Sequence, residues 1–233
     1  MVIQCNKREK NMATLKMKDI NKVYPNGVQA VFDFSFVIRD KEFIVFVGPS
    51  GCGKSTTLRM VAGLEEITAG ELYIDEVLVN DVAPKDRNIA MVFQSYALYP
   101  HMTVRQNIMF PLENIKVPKG EALQRAQEMA DLVGIGELMD RKPKQLSGGQ
   151  QQRVAIARAI VAKPNVILAD EPTGNLDSVN GEEVMQLLQE LSNEGTTIVM
   201  VTHSPYDANY AHRVINLFDG QIVTETVKEA FHV

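Results

Sequence analysis

Phe43-Ile44-Val45-Phe46-Val47-Gly48-Pro49-Ser50-Gly51-Cys52-Gly53-Lys54-Ser55 is an unbroken apolar run that opens into a glycine-rich turn. The run suits a parallel strand buried on both faces. The turn fits G-x-x-x-x-G-K-[ST], and Leu58, Val61 and Ala62 after it fall at helical spacing. Strand, turn and helix in this order make a cradle for phosphate. Glycines let backbone N–H groups converge on phosphate oxygens, and the helix N-terminus adds roughly half a positive charge. Lys54 is placed for the β- and γ-phosphates of a nucleoside triphosphate, and Ser55 for Mg²⁺. The expected nucleotide set here is Gly48, Pro49, Ser50, Gly51, Cys52, Gly53, Lys54, Ser55 and Thr56. Cys52 reads as exposed to the nucleotide, an inert filler of a position that asks for no particular residue.

Outward from this turn, buried strands alternate with helices. Further apolar runs stand at Ile89–Phe93, Val166–Ala169, Ile198–Val201 and Val214–Phe218. Residues 29–40 alternate, which predicts a strand with Phe32, Phe34, Phe36 and Ile38 on one face. Helical spacing joins Leu123, Ala126, Ala130 and Val133, then Val154, Ala157 and Val161. Val184, Leu187, Leu188 and Leu191 make another stripe, closed by Gly195 as a C-terminal cap. The pattern predicts an α/β core. The segment from about 95 to 163 holds several helices and no strand, and reads as a helical insertion. Residues 1–13 read as a flexible leader before a single domain over 14–233, with Met12 resembling a natural start.

Composition narrows the class of function. A net charge of −5 argues against a general nucleic-acid binder, which would show a basic surface. The first 22 residues lean basic through Lys7, Arg8, Lys10, Lys16, Lys18 and Lys22, too few charges for a binding arm. The two cysteines, Cys5 and Cys52, are not placed for a structural disulfide, which suits a reducing cytoplasm. No apolar run nears the ~18 residues that span a bilayer, and the start lacks a signal-peptide core. The chain is expected to be soluble in isolation and peripheral, on the cytoplasmic side, if it serves a membrane.

Two further motifs sharpen the reading. Val166-Ile167-Leu168-Ala169-Asp170-Glu171 delivers two carboxylates at a strand's C-terminal end, where ligands of open α/β sheets gather. Asp170 is placed to hold Mg²⁺ and Glu171 to take a proton from an attacking water. Leu146-Ser147-Gly148-Gly149-Gln150 precedes an apolar-striped helix, with Ser147 as its N-cap. That makes a second phosphate-seeking helix N-terminus in one chain.

Together, the phosphate turn, LSGGQ and the Asp-Glu strand resemble the nucleotide-binding subunit of an ATP-binding-cassette (ABC) transporter, over about residues 14–224. The resemblance implies a P-loop NTPase core with a mixed sheet, an antiparallel β subdomain and a helical insertion. It implies ATP and Mg²⁺ as ligands, hydrolysis of ATP, and integral-membrane permease subunits as partners. It also implies a head-to-tail dimer with a second copy or a related ATPase subunit. In that dimer Ser147, Gly148, Gly149 and Gln150 of one chain cover the ATP on the other, and Asp177 in Asn175-Leu176-Asp177 touches the opposing site. Asp177 also fits a plain N-cap turn. By the same resemblance Gln94 contacts Mg²⁺ and the attacking water, His203 the γ-phosphate, and Tyr24 stacks on adenine.

Substrate choice is not written in these motifs. Gln94 to Val104, with Lys85-Asp86-Arg87 before it, looks like ATPases of sugar importers, the first expectation. Asp170 to Ser178 and His203 to Arg213 look like ATPases of the lipoprotein-releasing and macrolide-export type, the alternative. Sugar-importer ATPases usually carry a further regulatory domain, for which a sequence ending at Val233 leaves no room. A soluble cassette of chromosome or repair machinery would need hundreds of coiled-coil residues between the phosphate turn and LSGGQ. Gln94 to Leu146 is 52 positions, which fits a compact helical subdomain. Tyr99 and Met102 are expected at the surface that meets the permease.

Overall fold

The computed structural model describes residues 15–227, so the expected leader, Met12 and Cys5 lie outside the described residues. Two sheets organise the described residues. β3 (Phe43–Val47), β6 (Ile89–Phe93), β7 (Val166–Asp170), β8 (Thr197–Thr202), β9 (Arg213–Phe218) and β10 (Gln221–Val227) form a six-stranded sheet. Its order is β10-β9-β3-β8-β7-β6. All neighbours run parallel except β10, which returns antiparallel along β9. β3, β7 and β8 are continuously apolar because helices cover both faces.

β1 (Leu15–Val23), β2 (Gln29–Ile38), β4 (Ala69–Ile74) and β5 (Val77–Leu78) form the second sheet, antiparallel, in the order β2-β1-β4-β5. In β2 the predicted alternation holds from Phe34 onward and fails before it. Asp33 takes φ 42° and the pairing with β1 shifts there, so Val31 is buried and Phe32 only half-buried. A bulge moves every residue on its far side by one step of the pleat. Phe34, Phe36 and Phe46 then pack edge-to-face or tilted, with centroids 5.9–6.4 Å apart. Such contacts add ~0.5–1.5 kcal/mol each beyond the burial itself.

Among the described residues, five α-helices complete the fold: α1 (Lys54–Ala62), α2 (Val104–Asn114), α3 (Lys119–Leu132), α4 (Gly148–Ile160) and α5 (Ser178–Asn193). α2, α3 and α4 make the helical segment expected between 95 and 163. α2 starts at a reciprocal cap between Thr103 and Gln106. α5 ends before Gly195, whose φ of 99° closes the helix as read from sequence. α1 is tied at its far end by the buried Arg87, which donates to the Met60 and Val61 carbonyls and to those of Val82 and Asn80. A cation suits the negative end of a helix dipole. Burial still lowers the pKa of this guanidinium. No helix among the described residues is long and apolar enough to cross a membrane.

Candidate active site

β3 delivers Gly48 to the C-terminal edge of the large sheet. A Cβ on Gly48 would collide with the Leu217 carbonyl, and one on Gly53 would stand 2.6 Å from the Ala30 carbonyl. Gly53 is also the residue before α1, at φ 93°. These two contacts require glycine and fold the turn tightly over the sheet. No side chain caps the N-terminus of α1, so its first N–H groups and partial positive charge face the turn. Lys54 is 6% exposed, and its ammonium donates to the Gly48 and Pro49 carbonyls at 2.7 and 3.0 Å. Pro49, Ser50 and Gly51 are exposed at the tip. Cys52 corrects the sequence expectation. Its side chain is 3% exposed and turned inward, with Sγ 3.8 Å from the lysine nitrogen. The turn closes over it because the absent Gly48 side chain leaves that space.

The neighbouring strand ends bring the acids to the same edge. Ser55 Oγ donates to Asp170 Oδ1 at 2.8 Å. Glu171 follows in the left-handed region, φ 49°, its N–H bonded to the Val201 carbonyl on β8. That backbone is uncommon for a non-glycine residue. It turns the carboxylate back toward β8, where Oε2 lies 2.7 Å from Nδ1 of His203. A carboxylate oxygen accepts, so Nδ1 is the donor in this pair. Glu171 is largely shielded, at 17% side-chain exposure, whereas His203 is open at 66%.

Gln94 leaves the end of β6 exposed. Its carbonyl accepts from the Asn175 amide at 2.9 Å, and a Cβ on Gly174 would stand 2.6 Å from its Nε2. Tyr96 and Ala97 follow with successive left-handed φ values of 63° and 48°. Arg158 on α4 holds both by donating to their carbonyls at 3.1 and 2.7 Å. Asn107 anchors the next stretch by bonding both the N–H and the carbonyl of Tyr99.

Ser147 caps α4, reciprocally with Gln150, as the sequence predicts. A Cβ on Gly149 would run into the Asn180 amide, and one on Gly148 would stand 2.9 Å from the Tyr96 hydroxyl. Asn180 in turn donates to both carboxylate oxygens of Asp177, through its N–H at 3.0 Å and its amide at 2.7 Å. Asp177 is therefore the N-cap of α5, and these bonds hold its carboxyl below the usual range. The LSGGQ turn and Asp177 form one unit joined by Asn180, a residue that sequence reading did not single out.

Tyr24 opens the hairpin turn between β1 and β2, and its hydroxyl lies 3.4 Å from Thr56 Oγ1 on α1. Lys22, counted in the sequence only as one charge of a basic start, is buried beside it.

Comparison with known proteins bears on the family and the fold. The family profile described as ABC transporter matches residues 31–174. The oligosaccharides import ATP-binding protein MsmX of Bacillus subtilis is 56% identical over 216 residues, 91% of this chain and 58% of the relative. The trehalose import ATP-binding protein SugC of Mycobacterium tuberculosis is 53% identical over 215 residues, 90% of this chain and 54% of the relative. The chain thus spans little more than half the length of these relatives. Among solved structures, the dimeric bacterial ABC transporter cassette MJ0796 aligns with a TM-score of 0.85 at 40% identity, covering 93% of this chain and 100% of that one. The same cassette in a post-hydrolysis state bound to ADP and Pi aligns equally well, at 39% identity. By its strand order, its phosphate turn and these matches, the chain belongs to the ABC transporter family of ATP-binding cassettes.

Proposed function

We propose that the chain binds ATP with Mg²⁺ and hydrolyses it to drive a membrane importer of sugars. One observation carries the reading. The N-terminus of α1, the Ser55–Asp170 pair and the Glu171–His203 pair stand together at one sheet edge.

In this reading the exposed turn from Pro49 to Gly51 and the start of α1 receive the phosphates. Lys54 exchanges the Gly48 and Pro49 carbonyls for phosphate oxygens. The hydroxyl of Ser55 and the carboxylate of Asp170 are hard oxygen donors that fit Mg²⁺, with Gln94 from the adjoining strand end. Mg²⁺ bound there would keep oxygen ligands from phosphate and water beside these side chains. The ion would supply charge neutralisation at the phosphates. Glu171 accepts the proton of the attacking water, and His203 holds that carboxylate in place while its open ring reaches the γ-phosphate. Tyr24 stacks on adenine.

Ser147, Gly148, Gly149 and Gln150, with Asp177, serve the site of a second copy. Two phosphate-seeking helix ends suit one γ-phosphate when they come from different chains. A groove of about 670 Å³ runs between the sheet and the helical segment, lined by Tyr99, Phe110, Pro111, Ile115 and Phe93 among others. We assign it to a segment of the permease, which puts the chain peripherally on the cytoplasmic side of the membrane. Tyr99 lines this groove and Met102 does not.

Import is favoured over the exporter alternative because relatives named for import match over 213–218 residues, across both halves of the chain. Phosphate release by the purified chain tests the activity. Lys54→Ala should bring it to background with the fold retained, because the side chain serves the turn and not the core. Unchanged turnover would refute the assignment.

A further inference from the structure

The ammonium of Lys22 lies 5.1 Å from the centroid of the Tyr24 ring. Lys22 is 6% exposed, an unusual place for a lysine. Its charge is held there by the Glu65 carboxylate and the Glu66 carbonyl, each at 2.8 Å. Both partners belong to the segment that follows α1, while Lys22 belongs to β1. The lysine therefore pins the base of the β1–β2 hairpin to the far end of the helix that begins at the phosphate turn. Across the hairpin, Tyr24 is closed only by its own turn, through bonds between Tyr24 and Val28 and between Gly27 and Tyr24. Its hydroxyl reaches Thr56 at a weak 3.4 Å. The hairpin turn alone leaves the ring free to rotate about its side-chain bonds. A cation over one face favours one orientation of the ring and leaves the opposite face for a base.

We propose that Lys22 is a positioning residue for the nucleotide base: by holding the Tyr24 ring, it sets the plane on which adenine stacks. This rests on the reading of Tyr24 given above. Lys22 does not touch phosphate in this account, so its effect belongs to the base alone. A purely structural lysine would change all ligands of the site together.

The experiment compares ATP with inorganic tripolyphosphate, which carries the phosphates without the base, by titration calorimetry on the full chain. Tyr24→Ala should weaken ATP on the order of 5- to 150-fold, the worth of one base–aromatic stack, and leave tripolyphosphate unchanged. Lys22→Met should weaken ATP about 2- to 30-fold, again with tripolyphosphate unchanged. Lys22→Arg, which keeps a cation over the ring, should restore most of the loss. Should Lys22→Met fail to fold, Glu65→Gln loosens the same ammonium and should weaken ATP about 2-fold or more with tripolyphosphate unchanged. Equal losses for both ligands in Lys22→Met or Glu65→Gln would make the lysine structural and overturn the proposal. So would an unchanged ATP affinity in those variants beside a large loss in Tyr24→Ala. An unaffected Tyr24→Ala would instead show that the ring is not the platform, and the reading of Tyr24 itself would fall.

Discussion

Glu171 and His203 are joined at 2.7 Å across the ends of two adjacent strands, and the bond depends on the left-handed backbone of Glu171. An extended Glu171 would continue β7 and carry its side chain away from β8. The unusual φ is thus what turns a strand-end acid into one half of a pair. His203 is the more exposed member of the pair, and Glu171 keeps a smaller exposed share.

His203→Ala should cut ATP turnover by one or more orders of magnitude and leave ATP affinity nearly unchanged. The histidine is two-thirds exposed and its loss removes no core packing. Steady-state phosphate release and nucleotide titration on the same protein check this. Near-normal turnover in a folded His203→Ala chain would take the residue out of the site.

Asp177 should give the start of α5 a dependence on acid. Its carboxyl is held below the usual range by the Asn180 N–H and amide. A depressed folded pKa means that the stabilisation is full above the unfolded carboxylate value, near pH 4. It is lost as pH falls through the lower folded value. Asp177→Asn keeps an N-cap oxygen but not the charge. Its thermal midpoint should sit slightly below that of the parent at pH 7 and converge with it toward pH 2. Parallel melting curves at all pH values would contradict the assigned cause.

The groove offers a contact test. In membranes holding the assembled transporter, with Cys5→Ser as background and Cys52 buried, a cysteine at Tyr99 should cross-link efficiently to a permease subunit. One at Met102, outside the groove lining, should do so less. Capture only at positions remote from the groove would move the permease surface elsewhere.

Much of this was legible in the residues because single physical rules governed it. An apolar run into Gly48 suits a buried strand meeting a turn, and Ser147 with Gln150 spells its own cap. The large sheet's parallel strands were equally plain. Other features were set by contacts between distant segments, which periodicity does not report. The bulge at Asp33 moved Phe32 off the core face and put Val31 there. Cys52 is buried because Gly48 lacks a side chain at the point where the turn folds back. β1, β4 and β5 are short, or polar on one face, and only the family resemblance implied their antiparallel sheet. The roles of Lys22 and Asn180 are not legible in the sequence because a charged or amide side chain gains its role only from its partners, Tyr24 with Glu65 in one case and Asp177 with Gly149 in the other.

The central claim is that a complete site needs two chains, with the LSGGQ turn of one meeting the phosphates held by the other. Glu171→Gln tests it most directly. The amide keeps the size of the side chain but cannot take a proton, so ATP should bind through Lys54, Ser55 and Asp170 and remain unhydrolysed. Light scattering on the eluting peak of a size-exclusion column should then give the mass of two chains with ATP and of one with ADP. Adding Ser147→Arg, which places bulk and charge at the exposed cap of α4, should return the ATP sample to one chain. A Glu171→Gln protein that binds ATP tightly yet remains a monomer at high concentration, both in isolation and beside its membrane subunits, would contradict the account.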